Sequence, residues 1–123
     1  MVYVTFEKIP SARTGNLLFQ YLFVKRLSIQ FGHTYIPIEE VTHQDNVLRI
    51  TDDTAKSYLF EKCLHTTMKN KNIICRGFFQ QDIYFNDYRQ RLLEEIYHCE
   101  DYFIGCGGEK EYIKSAKVRI GKV

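Results

Sequence analysis

The chain opens with a strand, a helix and a second strand, as judged from the spacing of its apolar residues. Residues 2–6 alternate between apolar and polar positions, the two-residue period typical of a strand. From 15 to about 31 apolar residues recur at helical spacing, and Gly32 is a natural C-cap. Residues 33–38 read as the second strand. This arrangement predicts a βαβ unit with parallel strands and a right-handed crossover, which puts the start of the helix at the carboxyl end of the first strand.

The remaining segments are consistent with one α/β domain and a mainly parallel sheet. Residues 47–50 fit either a short strand or a loop, and 73–75 form a compact apolar strand ended by Gly77. Thr51, Asp52 and Asp53 supply N-cap candidates for one helix reaching about Met68. Its residues expected to point inward are Leu59, Phe60, Cys63 and Leu64. Later predicted elements are a helix from Asn86 or Asp87 to about His98, a short helix at 109–115 and a strand at 116–120.

Composition narrows the class of protein. At 123 residues, 45% hydrophobic and 26% charged, the chain is expected to be a single globular domain. A net charge of +2 without a basic run argues against nucleic acid or an anionic membrane as partner. No apolar stretch is long enough for a membrane span, and the N-terminus does not resemble a signal peptide. The four cysteines show no Cys-x-x-Cys pair, which favours reduced thiols and a cytoplasmic location.

Two further motifs have weak chemical interpretations. Cys63 with His65, or His98 with Cys99 and Cys106, would supply zinc ligands, but their spacing matches no closed zinc module. The glycines of residues 105–108 suggest a phosphate loop, yet the lysine of a P-loop is missing. We therefore expect no metal and no cofactor, and a flexible turn at 105–108.

The turn between the first strand and the first helix is the best candidate for a binding site. Gly15 lets a ligand oxygen approach the backbone without a Cβ in the way, and Asn16 can both donate and accept hydrogen bonds. Arg13, just before them, has a planar, permanently charged side chain that suits a phosphate. The alternative is a helix-starting turn without ligand, in which Asn16 caps and Gly15 bends the chain.

Two segments, taken together, resemble the family 11 glycosyltransferases, the α-1,2-fucosyltransferases. Residues 12–21, Ala-Arg-Thr-Gly-Asn-Leu-Leu-Phe-Gln-Tyr, are similar to that family's Gly-x-x-Gly-Asn-Gln-hydrophobic-Phe-Gln-Tyr opening. Ala12 replaces its first glycine and Leu17 its glutamine. Residues 77–87, Gly-Phe-Phe-Gln-Gln-Asp-Ile-Tyr-Phe-Asn-Asp, are similar to its Gly-Tyr-aromatic-Gln-Ser-x-x-Tyr-Phe-x-Asp segment.

The resemblance implies a two-lobed, GT-B-like fold of facing Rossmann-like three-layer halves. The whole chain would be the amino-terminal, acceptor-side half, and the carboxyl-terminal half, which holds most of the nucleotide sugar, would be missing. A family motif, His-x-Arg-x-Gly-Asp, is expected near residue 120. Arg119 and Gly121 could match its arginine and glycine, but Lys117 and Lys122 occupy the histidine and aspartate positions. This is either a degenerate motif or a chance likeness.

The function implied by the resemblance is transfer of fucose from GDP-fucose to a galactose hydroxyl of a glycan, with inversion. Donor-binding candidates are Arg13, Gly15, Asn16 and Arg119. A catalytic base is not assigned: Asp82 and Asp87 are the carboxylates near the motifs, and Asp87 is well placed as a helix cap. The alternative is a catalytically inactive remnant that acts as a binding or assembly module.

Overall fold

Four parallel strands form the sheet at the centre of the fold. The structure, a computed structural model, describes residues 2–9 and 14–98, with the side chains of 14–18 and 95–98 excepted. The strands lie in the order β2-β1-β4-β3, and each neighbouring pair is parallel. Their bounds are β1 Tyr3–Phe6, β2 Thr34–Tyr35, β3 Val47–Thr51 and β4 Asn72–Arg76. The prediction of an α/β fold with a parallel sheet is confirmed.

The first helix, α1 (Thr14–Phe31), connects β1 to β2 as the sequence predicts. Its apolar residues Leu22, Phe23 and Leu27 are fully buried, because they fall on the side that packs against the sheet. The helix ends at Gly32, whose φ of 79° lies in the left-handed region and whose N–H donates to the Ser28 carbonyl at 2.9 Å.

The prediction of one continuous helix over 51–68 is wrong. The structure has α2 (Ala55–Phe60), a 3-10 turn at Lys62–Leu64 and α3 (His65–Asn70). Glu61 takes an extended backbone with φ −89° and ψ 105°, which interrupts the helix and turns the residues beside it away from the core. Leu59 is buried as expected, but Phe60 and Cys63 are exposed and Leu64 is half-buried.

Other boundaries shift for local reasons. The second strand is only Thr34–Tyr35, since Pro37 follows, lacks an N–H for the ladder, and precedes a 3-10 turn at Ile38–Glu40. Residues 47–51 form a strand rather than a loop, paired with β4 over its whole length. The last described helix, α4 (Arg89–His98), begins after 3-10 turns at Asp82–Tyr84 and Asn86–Tyr88. The predicted helix at 109–115 and strand at 116–120 lie outside the described residues.

The two faces of the sheet differ in chemistry. One face packs against α1 and joins the hydrophobic core through Val4, Phe6, Ile50, Ile73 and Cys75. Because side chains alternate along a strand, the opposite face presents the other residues of each strand. On that face Thr5, Ile74 and Arg49 lie side by side in one row across β1, β4 and β3. Arg76 and Thr51, each two residues further along its strand, lie side by side in the next row.

A buried arginine joins α1 to the segment that precedes α4. Only 2% of Arg26 is exposed, and its Nη1 donates to the Tyr84 carbonyl at 2.8 Å. Its guanidinium lies 4.8 Å from the ring centroid of Tyr88 and 5.4 Å from that of Phe60. Burial lowers the pKa of Arg26, an effect that nearby Asp87 opposes. Arg26 therefore serves as a packed donor as well as a charge.

We expect Arg26→Met to reduce the free energy of unfolding by about 2 kcal/mol, because the buried Tyr84 carbonyl loses its donor and two rings lose their cation. Urea denaturation followed by circular dichroism measures it. Asp87→Asn is the matched control: its carboxylate lies 3.9 Å from Arg26 Nη2 and is 67% exposed, so the pair should contribute under about 1 kcal/mol. An Asp87→Asn loss equal to that of Arg26→Met would mean that the ion pair, not the buried donor, holds the segment.

Candidate functional site

The predicted turn lies where ligands of parallel α/β sheets usually bind. Gly15 and Asn16 are in the first turn of α1, the helix that follows β1 in the chain after residues 7–13. The first N–H groups of a helix have no acceptor within it. The first turn of α1 contains no acidic residue that would compete with an anionic ligand for these N–H groups. Arg13 and Arg119, the two predicted donor-binding arginines, lie outside the described residues.

A buried glutamine joins the beginning of α1 to the ends of β1 and β4, and we call this region the corner. Gln20 is fully buried, and its Nε2 donates to the carbonyls of Gly77 at 2.8 Å and Glu7 at 3.2 Å. Both partners are acceptors, which fixes the orientation of the amide. One side chain thus joins α1 to the ends of β1 and β4. Its Oε1 is also buried and receives no hydrogen bond from the described part of the chain.

The loop after β4 is held from the other side by Asp52. Its two carboxylate oxygens accept the N–H groups of Phe78 and Phe79, each at 3.0 Å. The close fit explains the glycine before them: a Cβ at position 77 would lie 2.6 Å from Asp52 Oδ2. Gly77 is therefore needed for the close approach of Asp52.

Residues 77–87, the segment that contains the second motif, pack against α1 through their aromatic side chains. Phe79 is fully buried and stacks on Phe23, with ring centroids 4.0 Å apart and an interplanar angle of 8°. Tyr84 is buried too, which raises the pKa of its hydroxyl. Phe85 packs near Phe19, with centroids 5.8 Å apart. These side chains form core, whereas Phe78 at the rim is 37% exposed.

The carboxylates that the sequence offers as a base, Asp82 and Asp87, both lie in the segment between β4 and α4. Asp82 is exposed in the 3-10 turn of Asp82–Tyr84, and exposed Asp87 faces Arg26. Asp87 does not cap α4, because that helix starts at Arg89, two residues later. Neither carboxylate is among the hydrogen-bond partners of Gln20, whose amide donates to the two carbonyls.

Charged residues that the sequence analysis did not single out meet at the same end of the sheet. Glu7 Oε1 accepts from Arg49 Nη1 at 3.0 Å, and Glu7 Oε2 accepts from Arg76 Nη1 at 3.0 Å. Arg49 Nη2 also donates to Gln44 Oε1 at 2.7 Å. We call Glu7, Arg49 and Arg76 the arginine cluster. Strand register brings these three residues together although they are far apart in the sequence, so the sequence pattern alone does not identify the cluster.

The two thiols in the described part of the chain, those of Cys63 and Cys75, differ in exposure, and Cys99 and Cys106 lie outside that part. Cys75 is buried in β4, which raises the pKa of its thiol well above the ordinary value, and Cys63 is exposed. Among the described residues, no three or more His, Cys, Asp and Glu side chains converge as metal ligands would. Nor does any helix in residues 14–98 combine the length and hydropathy of a membrane span.

The described residues define a Rossmann-like α/β fold: an all-parallel four-stranded sheet flanked by helices, with a corner at its carboxyl end held by Gln20 and Asp52. Comparison of the chain with protein-family models, curated proteins and solved structures found no match.

Proposed function

We propose that the chain is the acceptor-side half of a family 11-like fucosyltransferase. The proposed reaction moves fucose from GDP-fucose to a galactose hydroxyl. The acceptor oxygen forms a bond to the anomeric carbon, the bond from that carbon to the diphosphate oxygen breaks, and GDP leaves with the bonding electrons. A base takes the acceptor proton. Attack from the face opposite the leaving group inverts the anomeric carbon.

The hydrogen bond from Gln20 to Gly77 is the observation that carries the proposal. The two motif-bearing segments resemble the family independently, and they are 57 residues apart at this contact. Gln20 stands at the glutamine that precedes the last tyrosine of the family's first motif, and Gly77 stands at the glycine that opens the second. Their direct contact supports reading both segments as parts of one corner at the carboxyl end of a parallel sheet.

The chemistry of the corner is suited to a polar, anionic ligand. The N–H groups at the start of a helix have no acceptor within it, so those of the first turn of α1 suit phosphate or hydroxyl oxygens, and Gly15 adds no Cβ there. The Gln20 and Asp52 contacts fix the surrounding backbone, so a ligand would not have to order it on binding. Under this proposal Arg13 and Asn16 contribute side chains to donor binding.

Isothermal titration with GDP and GDP-fucose tests the proposal. Because the second half would hold most of the donor, we expect weak binding by this chain, with a dissociation constant of about 1 mM, or roughly −4 kcal/mol. Arg13→Ala and Asn16→Ala should each weaken the binding of GDP-fucose. Arg91→Ala, which removes an exposed arginine on α4, should leave it unchanged. Silence of the wild-type chain at millimolar ligand would reject donor binding and favour the inactive binding or assembly module.

A further inference from the structure

We propose that the arginine cluster binds a phosphate or diphosphate oxyanion. Strand register places its members side by side: Glu7 follows the last residue of β1, Arg76 ends β4, and Arg49 lies one row earlier on β3, on the same face. The sheet therefore brings two guanidinium groups to one carboxylate. The proposal stands without the transferase reaction, because phosphate oxyanions occur in many ligands besides nucleotide sugars.

The cluster has more positive than negative charge, and the excess faces outward. The Glu7 side chain is 25% exposed, whereas those of Arg49 and Arg76 are 55% and 66% exposed. Two permanently charged groups on one carboxylate leave one unneutralised positive charge. Asp52, at the neighbouring end of β3, directs both of its oxygens to the N–H groups of Phe78 and Phe79. Its hydrogen bonds thus go to the loop and not to the arginines.

The contribution of these ion pairs to folding stability does not explain why two arginines share one carboxylate. Ion pairs as exposed as these contribute little to folding, and a second arginine on the same carboxylate contributes less than the first because the two cations repel. The pairing nevertheless fixes orientation: each guanidinium uses Nη1 to reach a separate oxygen of Glu7, and Gln44 holds Nη2 of Arg49. Glu7 and Gln44 are accordingly positioning residues.

Phosphate oxygens match what the oriented arginines offer. A guanidinium is a planar fork of donors that binds two oxygens of one phosphate group, and it stays charged at any working pH. Of five N–H donors each, Arg49 uses two and Arg76 one in the contacts above, so both keep donors for a diphosphate at the carboxyl end of the parallel sheet, with one phosphate group for each arginine. The ligand is either a nucleoside diphosphate or free phosphate or pyrophosphate, and the chemistry of the arginine contacts is common to both.

Calorimetric titration of the full chain at low salt separates these sources. We expect pyrophosphate and GDP to bind and guanosine to give no heat. GDP binding more tightly than pyrophosphate would identify a nucleotide as the ligand, and equal affinities would identify the phosphate groups alone. Raising the salt from about 0.05 M to about 0.5 M should weaken binding of both anions.

Arginine variants locate the binding. Arg49→Gln and Arg76→Gln should each weaken pyrophosphate binding about tenfold or more, the loss expected for a charge-assisted contact. Arg91→Gln removes an equally permanent charge on α4 and should bind as the wild type does. Thermal unfolding should be nearly unchanged in all three variants, because the removed charges are exposed.

Three results would overturn the proposal: no heat with either anion at millimolar concentration, wild-type affinity in both cluster variants, or an equal loss in Arg91→Gln. The pyrophosphate titration contains neither sugar nor guanosine, so it succeeds or fails independently of the fucose-transfer proposal.

Discussion

Gln20→Glu should reduce the free energy of unfolding by about 3–5 kcal/mol at pH 7, the scale expected for an uncompensated buried charge. The wild-type amide donates to the carbonyls of Glu7 and Gly77 from a fully buried position. An ionised carboxylate there would face two acceptors and could donate to neither. Urea denaturation of wild type and variant at a series of pH values measures the difference.

The pH dependence of that difference gives the sharper test. Burial against two carbonyls must raise the pKa of the introduced carboxyl group in the folded state above its unfolded value of about 4.3. A protonated carboxyl can donate to one carbonyl, so the variant should approach wild-type stability below about pH 4. As the pH rises above the unfolded pKa, the unfolded state releases its proton first, and the deficit grows until the folded pKa is passed.

Gln20→Leu is the matched control, because leucine is similar in size and does not titrate. It leaves both carbonyls without their donor and should cost about 2 kcal/mol, equally at pH 4 and pH 7. A Gln20→Glu deficit that does not change with pH would show that the carboxylate escapes to solvent. The corner would then be looser than the structure shows.

The second large effect is expected at Phe79. Phe79→Ala should lower the free energy of unfolding by about 3–5 kcal/mol, because it removes a fully buried ring stacked 4.0 Å from Phe23. Chemical denaturation checks this value. Ile83→Ala, in the same segment but 43% exposed, should cost well under about 1 kcal/mol. If the two variants lose similar stability, the segment does not dock through Phe79.

Phe79→Gly should be more stable than Phe79→Ala by about 1 kcal/mol, reversing the order expected from side-chain size. The reason is the backbone: Phe79 has a φ of 50°, in the left-handed region where a Cβ is unfavourable. Both variants lose the ring, and only glycine relieves the strain. The same comparison therefore reports on backbone conformation separately from packing.

The opening βαβ unit was predictable from sequence because its signals are local. Alternation in residues 2–6, the helical stripe to Phe31 and the capping Gly32 each act over a few residues, and the structure confirms the strand, the helix and the cap that they predict, although every residue of β1 is buried. The break at Glu61 was not predictable in this way. Apolar residues continue at helical spacing across it, and Phe60 packs over buried Arg26 rather than facing the core.

The candidate site was predictable only in part, for the same reason. Gly15 and Asn16 were identified from the turn that they occupy, and the structure places them in the first turn of α1. Gln20 lies on a helix within a recognised motif, but its contact with Gly77 depends on the packing of β1 beside β4. The arginine cluster depends on sheet order, since Glu7 and Arg76 are 69 residues apart. Sequence pattern contains no direct record of that order.

The most direct test of the proposed donor corner is amide mapping with GDP-fucose by heteronuclear NMR. We predict that millimolar GDP-fucose shifts the amide resonances of Gly15 and Asn16 together with those of Gly77 and Phe78, and that Asn16→Ala removes these shifts. Unchanged resonances at both segments, or changes confined to helix α4, would contradict the proposal that the two segments form one ligand-binding corner.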